Sequence, residues 1–378
     1  MPKHHLLFCI SILLSASCNI DTEPPIPSYD RVIVVEEEPR LSANGEIVDI
    51  NGDGFNDVVL AIGRHWPGPN LLFVGDGAGG FSRVDSLSNP WDRTYSVSVA
   101  DMDMDGDADF VVSNDRPDPK YVLLNDGNGN FTERIEFGDP NWPTRNSTVA
   151  DLNQDGLPDI VVANRDNSPE GNNWVCLNET TEEFSLNCKS IVSGSATTIS
   201  VADMNADGFQ DLLIPYRDGG QSHVYVGDGT GNFVRGVSFG PNDASYRAAI
   251  AVDMNSDNLL DIVAINDRKR TATLFYQTEN HLFEEGIRID DGEMIPYALE
   301  VADLDANGKD DVIIGYREAP TRIFFNRADS LVEIAIGDSL GAAYGFGVGD
   351  FNHDGIMDIV SARSGASDLL FLGKTSYN

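Results

Sequence analysis

The residues with the clearest chemistry are aspartates. Asp101-Met-Asp103-Met-Asp105-Gly106-Asp107-Ala-Asp109 puts an oxygen-bearing side chain at positions 1, 3, 5 and 9, and the pattern recurs seven times, about fifty residues apart. The sets are Asp49, Asn51, Asp53 and Asp57; Asp101, Asp103, Asp105 and Asp109; Asp151, Asn153, Asp155 and Asp159; Asp203, Asn205, Asp207 and Asp211. They continue with Asp253, Asn255, Asp257 and Asp261; Asp303, Asp305, Asn307 and Asp311; Asp350, Asn352, Asp354 and Asp358. A hard cation of calcium's size takes roughly six to eight oxygens at about 2.3–2.6 Å, and a chain curling round the ion presents alternate side chains to it. Position 6, where the chain must turn sharply, is glycine in six copies and Asn258 in the fifth, the residue types that tolerate positive φ. Up to seven Ca²⁺ ions are expected, with the Asn258 and Asn307 copies the weakest sites. The closing acid comes at position 9 and not 12, and strand-forming residues follow, so an EF-hand is a poor reading.

The elements that position these loops are strands. Each position-9 aspartate leads into a short apolar run, such as Val58-Val-Leu-Ala, Ile160-Val-Val-Ala or Val312-Ile-Ile-Gly, and apolar or small residues such as Ile47-Val48 and Val97-Ser-Val-Ala100 precede position 1. Runs of this length and β-branched content are buried strands. Each loop therefore closes a hairpin, and a fixed period near fifty residues signals a repeat architecture.

This pattern resembles the FG-GAP or VCBS-type repeat, the unit of the integrin-α-like seven-bladed β-propeller. The glycine-rich turns Gly75-Asp-Gly-Ala-Gly-Gly-Phe81, Asn125-Asp-Gly-Asn-Gly-Asn-Phe131 and Gly227-Asp-Gly-Thr-Gly-Asn-Phe233 fit the turn before the fourth strand of such a unit. The resemblance implies an all-β, seven-bladed β-propeller over 29–378, with calcium in the loop between the first and second strands of each blade. The last blade runs out of sequence after three strands. Arg31–Glu37 is expected to supply the fourth and close the ring.

In such a propeller the loops between second and third strands lie on the face opposite the calcium loops. They carry one arginine per blade: Arg64, Arg116, Arg165, Arg217, Arg268, Arg317 and Arg363, a large share of the 25 basic residues. The fourth-to-first loops of that face add Arg40, Arg93, Arg145 and Arg247 with Tyr95, Tyr246, Tyr297 and Tyr344. The tryptophans Trp66, Trp91, Trp142 and Trp174 fall in or beside the same loops. Arginine forks carboxylates and sulfates while indole faces pack on sugar rings, so an anionic carbohydrate is the ligand class this chemistry suits. The alternative is that the arginines pair with Asp115, Asp166, Asp218 or Asp267 and hold the fold together.

At the start, residues 1–5 are basic and 6–14 apolar, too short to span a bilayer, which needs about twenty residues. Residues 1–18 read as an export signal ending at Cys18, a candidate for lipidation, with ordinary cleavage beside Ser15 and Ser17 as the other reading. Residues 19–28, with Pro24, Pro25 and Pro27, would be a stiff tether. Cys176 and Cys188 flank a turn at positions able to face each other across a hairpin, as for a disulfide formed outside the reducing cytoplasm.

The net charge is −36, without a basic field for nucleic acid. There is no Ser–His–Asp arrangement, no phosphate loop and no carboxylate pair outside the calcium loops. The expected function is that of a monomeric, exported, calcium-stabilised binding or adhesion module for anionic carbohydrate, touching membrane only through a lipid anchor. A polysaccharide lyase acting on uronate polymers is the alternative, with His65, His223, Tyr297 and Tyr344 near the ligand face. A third reading is a platform for another cell-surface protein.

Overall fold

The computed structural model describes residues 23–87, 91–166, 168, 172–180, 185–328 and 330–375. The expected export signal and Cys18 lie outside the described residues. Among these, 28 strands form an all-β chain, and no helix is long and apolar enough to cross a membrane. After β1 (Ser28–Glu36), the strands fall into four-stranded antiparallel units in sequence order. The first is β2 (Ser42–Val48), β3 (Asp57–Ile62), β4 (Leu71–Gly75) and β5 (Phe81–Ser86). Then follow β6–β9 (94–137), β10–β13 (144–193), β14–β17 (200–239), β18–β21 (248–288) and β22–β25 (295–336). The seventh unit has β26 (Ala342–Gly349), β27 (Asp358–Ser364) and β28 (Asp368–Lys374), and β1 pairs antiparallel with β28 as its fourth strand. The expected ring closure is what the register shows, Val32 facing Phe371 and Val34 facing Leu369.

The second strand of each unit is apolar without alternation because both of its faces are covered. In β3, Val58, Leu60 and Ile62 pack with Val360, Ala362 and Leu370 of the seventh blade. Val59 and Ala61 of the same strand pack with Val97, Phe110 and Tyr121 of the second. The arrangement repeats between every pair of neighbours, so the described residues form seven inter-blade cores around the ring. Such a layout escapes the size limit on a single core because each blade buries apolar surface against the next.

Polar staples accompany the cores. Asn125 at the end of β8 (Lys120–Asn125) donates its amide to the carbonyl of Ile50 in the preceding blade, 2.7 Å away. Asn178, Gln277 and Asn326 make the equivalent bond to Met102, Met204 and Met254. Cys176 and Cys188 are paired residues of β12 (Asn172–Asn178) and β13 (Leu186–Ser193), and their sulfurs are bonded. The first strands surround the axis: one cavity of about 120 Å³ is lined from all seven blades, from Asn44 through Ser96, Asn146, Thr198, Ala248 and Glu300 to Gly345.

Candidate functional site

The Asp-rich loops all turn the same way. Position 6 has positive φ throughout, from Gly54 (87°) to Gly355 (87°), and Asn258 adopts 67°. Position 4 is also left-handed in every copy, at Gly52, Met104, Gln154, Ala206, Ser256, Ala306 and His353, although only one of these is glycine. These two reversals turn backbone N–H groups towards position 1: Asp49 accepts from Gly52 and Gly54, both at 2.9 Å. Position 9 is different. Asp57 is fully buried and accepts Ile50 N–H at 3.1 Å on one oxygen and Gly75 N–H at 2.8 Å on the other. All seven position-9 aspartates make the same two bonds, tying the loop to the end of the third strand. Burial pushes these carboxyls up, to about 6 for Asp57 and Asp109 and about 7 for Asp311 and Asp358.

The donor chemistry fits a hard cation. Oxygens of Asp101, Asp103 and Asp109 lie within 4.8 Å of one another, as do those of Asp303, Asp305 and Asp311. Asp101 Oδ1 is buried without a hydrogen-bond partner among the described residues. In the other copies position 3 is asparagine, and the carbonyl of its amide would replace the third carboxylate. The sixth loop differs because the Arg327 guanidinium pairs with Asp305, a built-in cation against the donor set.

The opposite end of the axis is cationic. A cavity of about 110 Å³ is lined by Arg64, Arg145, Arg165, Arg217 and Arg247 together with His65, Tyr95, Thr197, Tyr297 and Tyr344. Three of the arginines have carboxylate partners. Arg145 meets Asp115 at 2.7 Å, Arg165 forks Asp218 at 3.1 and 3.2 Å, and Arg217 pairs with Asp267. Burial alone would raise the Asp218 carboxyl, but hydrogen bonds from Arg165 and Ser195 hold it at about 2. Among the described residues, Arg64 and Arg247 have no carboxylate partner. They lie instead on aromatic faces, Arg64 4.0 Å above Tyr344 and Arg247 4.1 Å above Tyr297. Such cation–π contacts hold a guanidinium in place without neutralising it. Arg217 is 6% exposed, and its Nε, like that of Arg64, is buried with no acceptor among the described residues. Burial first, then the neighbouring Arg247 and Arg165 charges, lower the Arg217 pKa. Crowded, incompletely neutralised guanidiniums make the local potential favourable to an anion.

The expected seven-arginine ring is only partly gathered. Arg64, Arg165 and Arg217 reach the axis, whereas Arg116 and Arg268 are exposed outside the cavity, the latter joining Asp218 at 3.1 Å. Arg317 is exposed beside Glu318 and borders a neighbouring cavity with Arg64. Arg363 is buried and spent on Asp338 and the Ser367 carbonyl, a role within the fold. The tryptophans also divide. Trp142 and Trp174 stack on each other at 4.5 Å against the core between the second and third blades, while Trp66 and Trp91 are 56% and 70% exposed. The indole surface expected of all four is therefore reduced to two. Tyr246 is a core residue, and His223 is a half-buried strand residue whose pKa burial lowers.

One arrangement escaped the sequence reading. His65 Nδ1 lies 2.8 Å from Asp115 Oδ2, and His65 Nε2 lies 2.8 Å from the Tyr95 hydroxyl at the cavity wall. The three residues come from two loops and a first strand of neighbouring blades, 50 residues separating His65 from Asp115. That separation is the repeat period, the one signal that could have paired them.

Six overlapping stretches, 49–112, 101–162, 151–214, 203–264, 253–314 and 303–361, match the model of the FG-GAP-like repeat. The chain belongs to the FG-GAP-like repeat family. A repeat as the family counts it runs from one Asp-rich loop through the next, and so straddles two blades of this FG-GAP-like protein. No curated protein matches the sequence. Among solved structures, the lead-soaked crystal structure of BBS1N in complex with ARL6DN is similar with a TM-score of 0.65 at 11% identity, over 93% of this chain and 99% of that one. The mercury-soaked form gives 0.63 and 12% over the same spans. A lectin of Agrocybe aegerita, described for specific recognition of non-reducing terminal N-acetylglucosamine, gives 0.54 at 16% identity, over 88% of this chain and 87% of that one. At these identities the likeness is one of fold, a β-propeller.

Proposed function

We propose that this FG-GAP-like protein is an exported binding module whose axial arginine–tyrosine well takes the anionic group of an acidic glycan. One observation carries the reading: Arg64 and Arg247 are held on tyrosine faces at the cavity wall with no carboxylate partner among the described residues. A carboxylate or sulfate entering the well would supply the missing counter-charge through charge-assisted hydrogen bonds. The fungal lectin of similar fold lends support, since it is described as recognising a sugar. Calcium in the Asp-rich loops would stiffen the opposite face. Export with lipidation at Cys18, and action as a monomer, complete the proposal. Exposed Trp66 and Trp91 favour a second reading, a protein partner on the same face, in keeping with the protein complex formed by BBS1N.

The test is native affinity electrophoresis of the mature protein, with calcium, through polygalacturonate, alginate and dextran. Retardation by the two acidic polymers but not by dextran is expected. It should be lost in Arg64→Ala/Arg247→Ala at an unchanged melting temperature. Equal migration in all three gels overturns the anionic-glycan reading and leaves the protein partner.

A further inference from the structure

The Asp115–His65–Tyr95 chain lies at the wall of the arginine well and plays no part in binding as described above. Asp115, 5% exposed, has its Oδ2 on His65 Nδ1 and its Oδ1 on Arg145. A carboxylate on Nδ1 keeps the proton of a neutral imidazole there, so the Nε2 lone pair faces the Tyr95 hydroxyl at 2.8 Å. That is the geometry of an activated nucleophile or base, with a phenol at its end. Arg145 lies 4.3 Å from the centre of the Tyr95 ring. Burial raises the Tyr95 pKa while Arg145 and Arg64 oppose it, so the phenol is protonated at rest and needs an acceptor at the moment of reaction. His65 is that acceptor.

We propose that this relay makes the well catalytic, with Tyr95 as the proton-transferring residue of a β-elimination on a uronate-containing glycan. The inference rests on the well taking a carboxylate. A C–H bond next to a carboxylate becomes acidic only when the carboxylate charge is neutralised, and the arginines do this. Tyr95 passes its proton to His65 Nε2 and its oxygen removes the proton from C5 of the uronate. The C4–O bond breaks, its electrons leave with the departing sugar oxygen, and C4=C5 forms. Tyr95 then delivers the abstracted proton to that oxygen, and His65 returns its proton to Tyr95. No oxidant, reductant or water is consumed. Among the described residues no carboxylate lines this cavity, so the two-carboxylate route of glycoside hydrolysis finds no residues for it there. Asp115 and His65 act through Tyr95 and are positioning residues.

The experiment assays polygalacturonate, alginate and chondroitin sulfate for unsaturated uronate ends after incubation with the mature protein, beside the electrophoresis described above. At least one polymer should gain unsaturated ends. Tyr95→Phe should lose about 100-fold or more in kcat while KM, retardation and melting temperature stay as in the unaltered protein. His65→Ala should lose a similar factor and regain at least about tenfold on adding imidazole, which a merely structural histidine would not do. Retardation without unsaturated ends from any polymer overturns the lyase inference and leaves the binding reading standing; no retardation and no ends overturns both. Unsaturated ends formed by Tyr95→Phe at the unaltered rate remove Tyr95 from the chemistry.

Discussion

Asp57 and its six counterparts each accept two backbone N–H groups while fully buried, so each is a structural acceptor within its Asp-rich loop. From spacing alone a carboxylate that holds N–H groups looks the same as one that holds a metal. That is why position 9 was legible as an acid of fixed offset but not as a staple. The sequence offered His65 as a residue of the ligand face, but its pairing with Asp115 and Tyr95 was equally opaque, because those partners belong to the next blade. A second pair of acids, Glu46 of β2 and Glu300 of β22 (Ile295–Ala302), stands on first strands facing the axis. Burial, then the Glu300 charge, pushes Glu46 up to about 8 against a hydrogen bond from Asn44, and burial pushes Glu300 to about 7. Unfolded, both titrate near 4.5. Between that value and the folded one the native state holds more protons, so the free energy of unfolding falls as pH rises. Each group contributes a slope of at most about 1.4 kcal/mol per pH unit. The double variant Glu46→Gln/Glu300→Gln should therefore lose less stability than the unaltered protein between about pH 5 and about pH 8 in urea titrations. The position-9 carboxyls add the same sign of slope to both proteins and cancel in the difference; superimposable profiles would count against a half-buried, repelling pair.

Strands were the most readable elements, because a second strand buried on both faces writes itself as an unbroken apolar run. What offset from the loop could not supply was distance from the axis. Arg64, Arg116 and Arg268 each follow their position-9 aspartate by the same interval, yet only Arg64 lines the well. The difference lies in the local chain: Arg64 adopts φ 61° and donates its N–H to the Thr94 carbonyl, which turns its loop inward towards the next blade. Left-handed backbone at a residue with a Cβ costs about 1–2 kcal/mol, and no propensity scale would have placed it there. β1 is the element whose role follows from counting. Tyr29 joins the core between the sixth and seventh blades and Val35 the core between the seventh and first, so one strand seals two interfaces. Removing residues 28–38 would open the β28 edge and uncover both. The truncated protein is expected to lack a cooperative thermal transition by circular dichroism, and an unchanged melting temperature would mean that the ring does not depend on this closure.

The whole molecule is electrically divided, with net charge −36 overall, Asp-rich loops at one end of the axis and five arginines at the other. Self-repulsion on this scale weakens a compact state. Seven calcium ions would offset about fourteen charges where repulsion is densest, and each site held at about 100 times its dissociation constant adds about 2.7 kcal/mol. A chelator should accordingly lower the melting temperature by many degrees, and calcium should restore it. The sixth loop is expected to fill last, because a cation entering it must displace Arg327 from Asp305. Two variants separate the metal contribution from the staple. Asp103→Ala removes a member of the proposed donor set whose hydrogen bond from Asp105 N–H is exposed, so it should cost stability in calcium and little in chelator. Asp109→Ala leaves the buried N–H groups of Met102 and Asn125 without an acceptor. It should cost about 2–6 kcal/mol in chelator and more than that in calcium, where a member of the donor set is lost as well. If the melting temperature ignores chelator and Asp103→Ala is neutral with or without calcium, the loops are held by their own hydrogen bonds and the calcium assignment fails. A fall in chelator for the unaltered protein that Asp103→Ala partly loses would place the ion in the second loop.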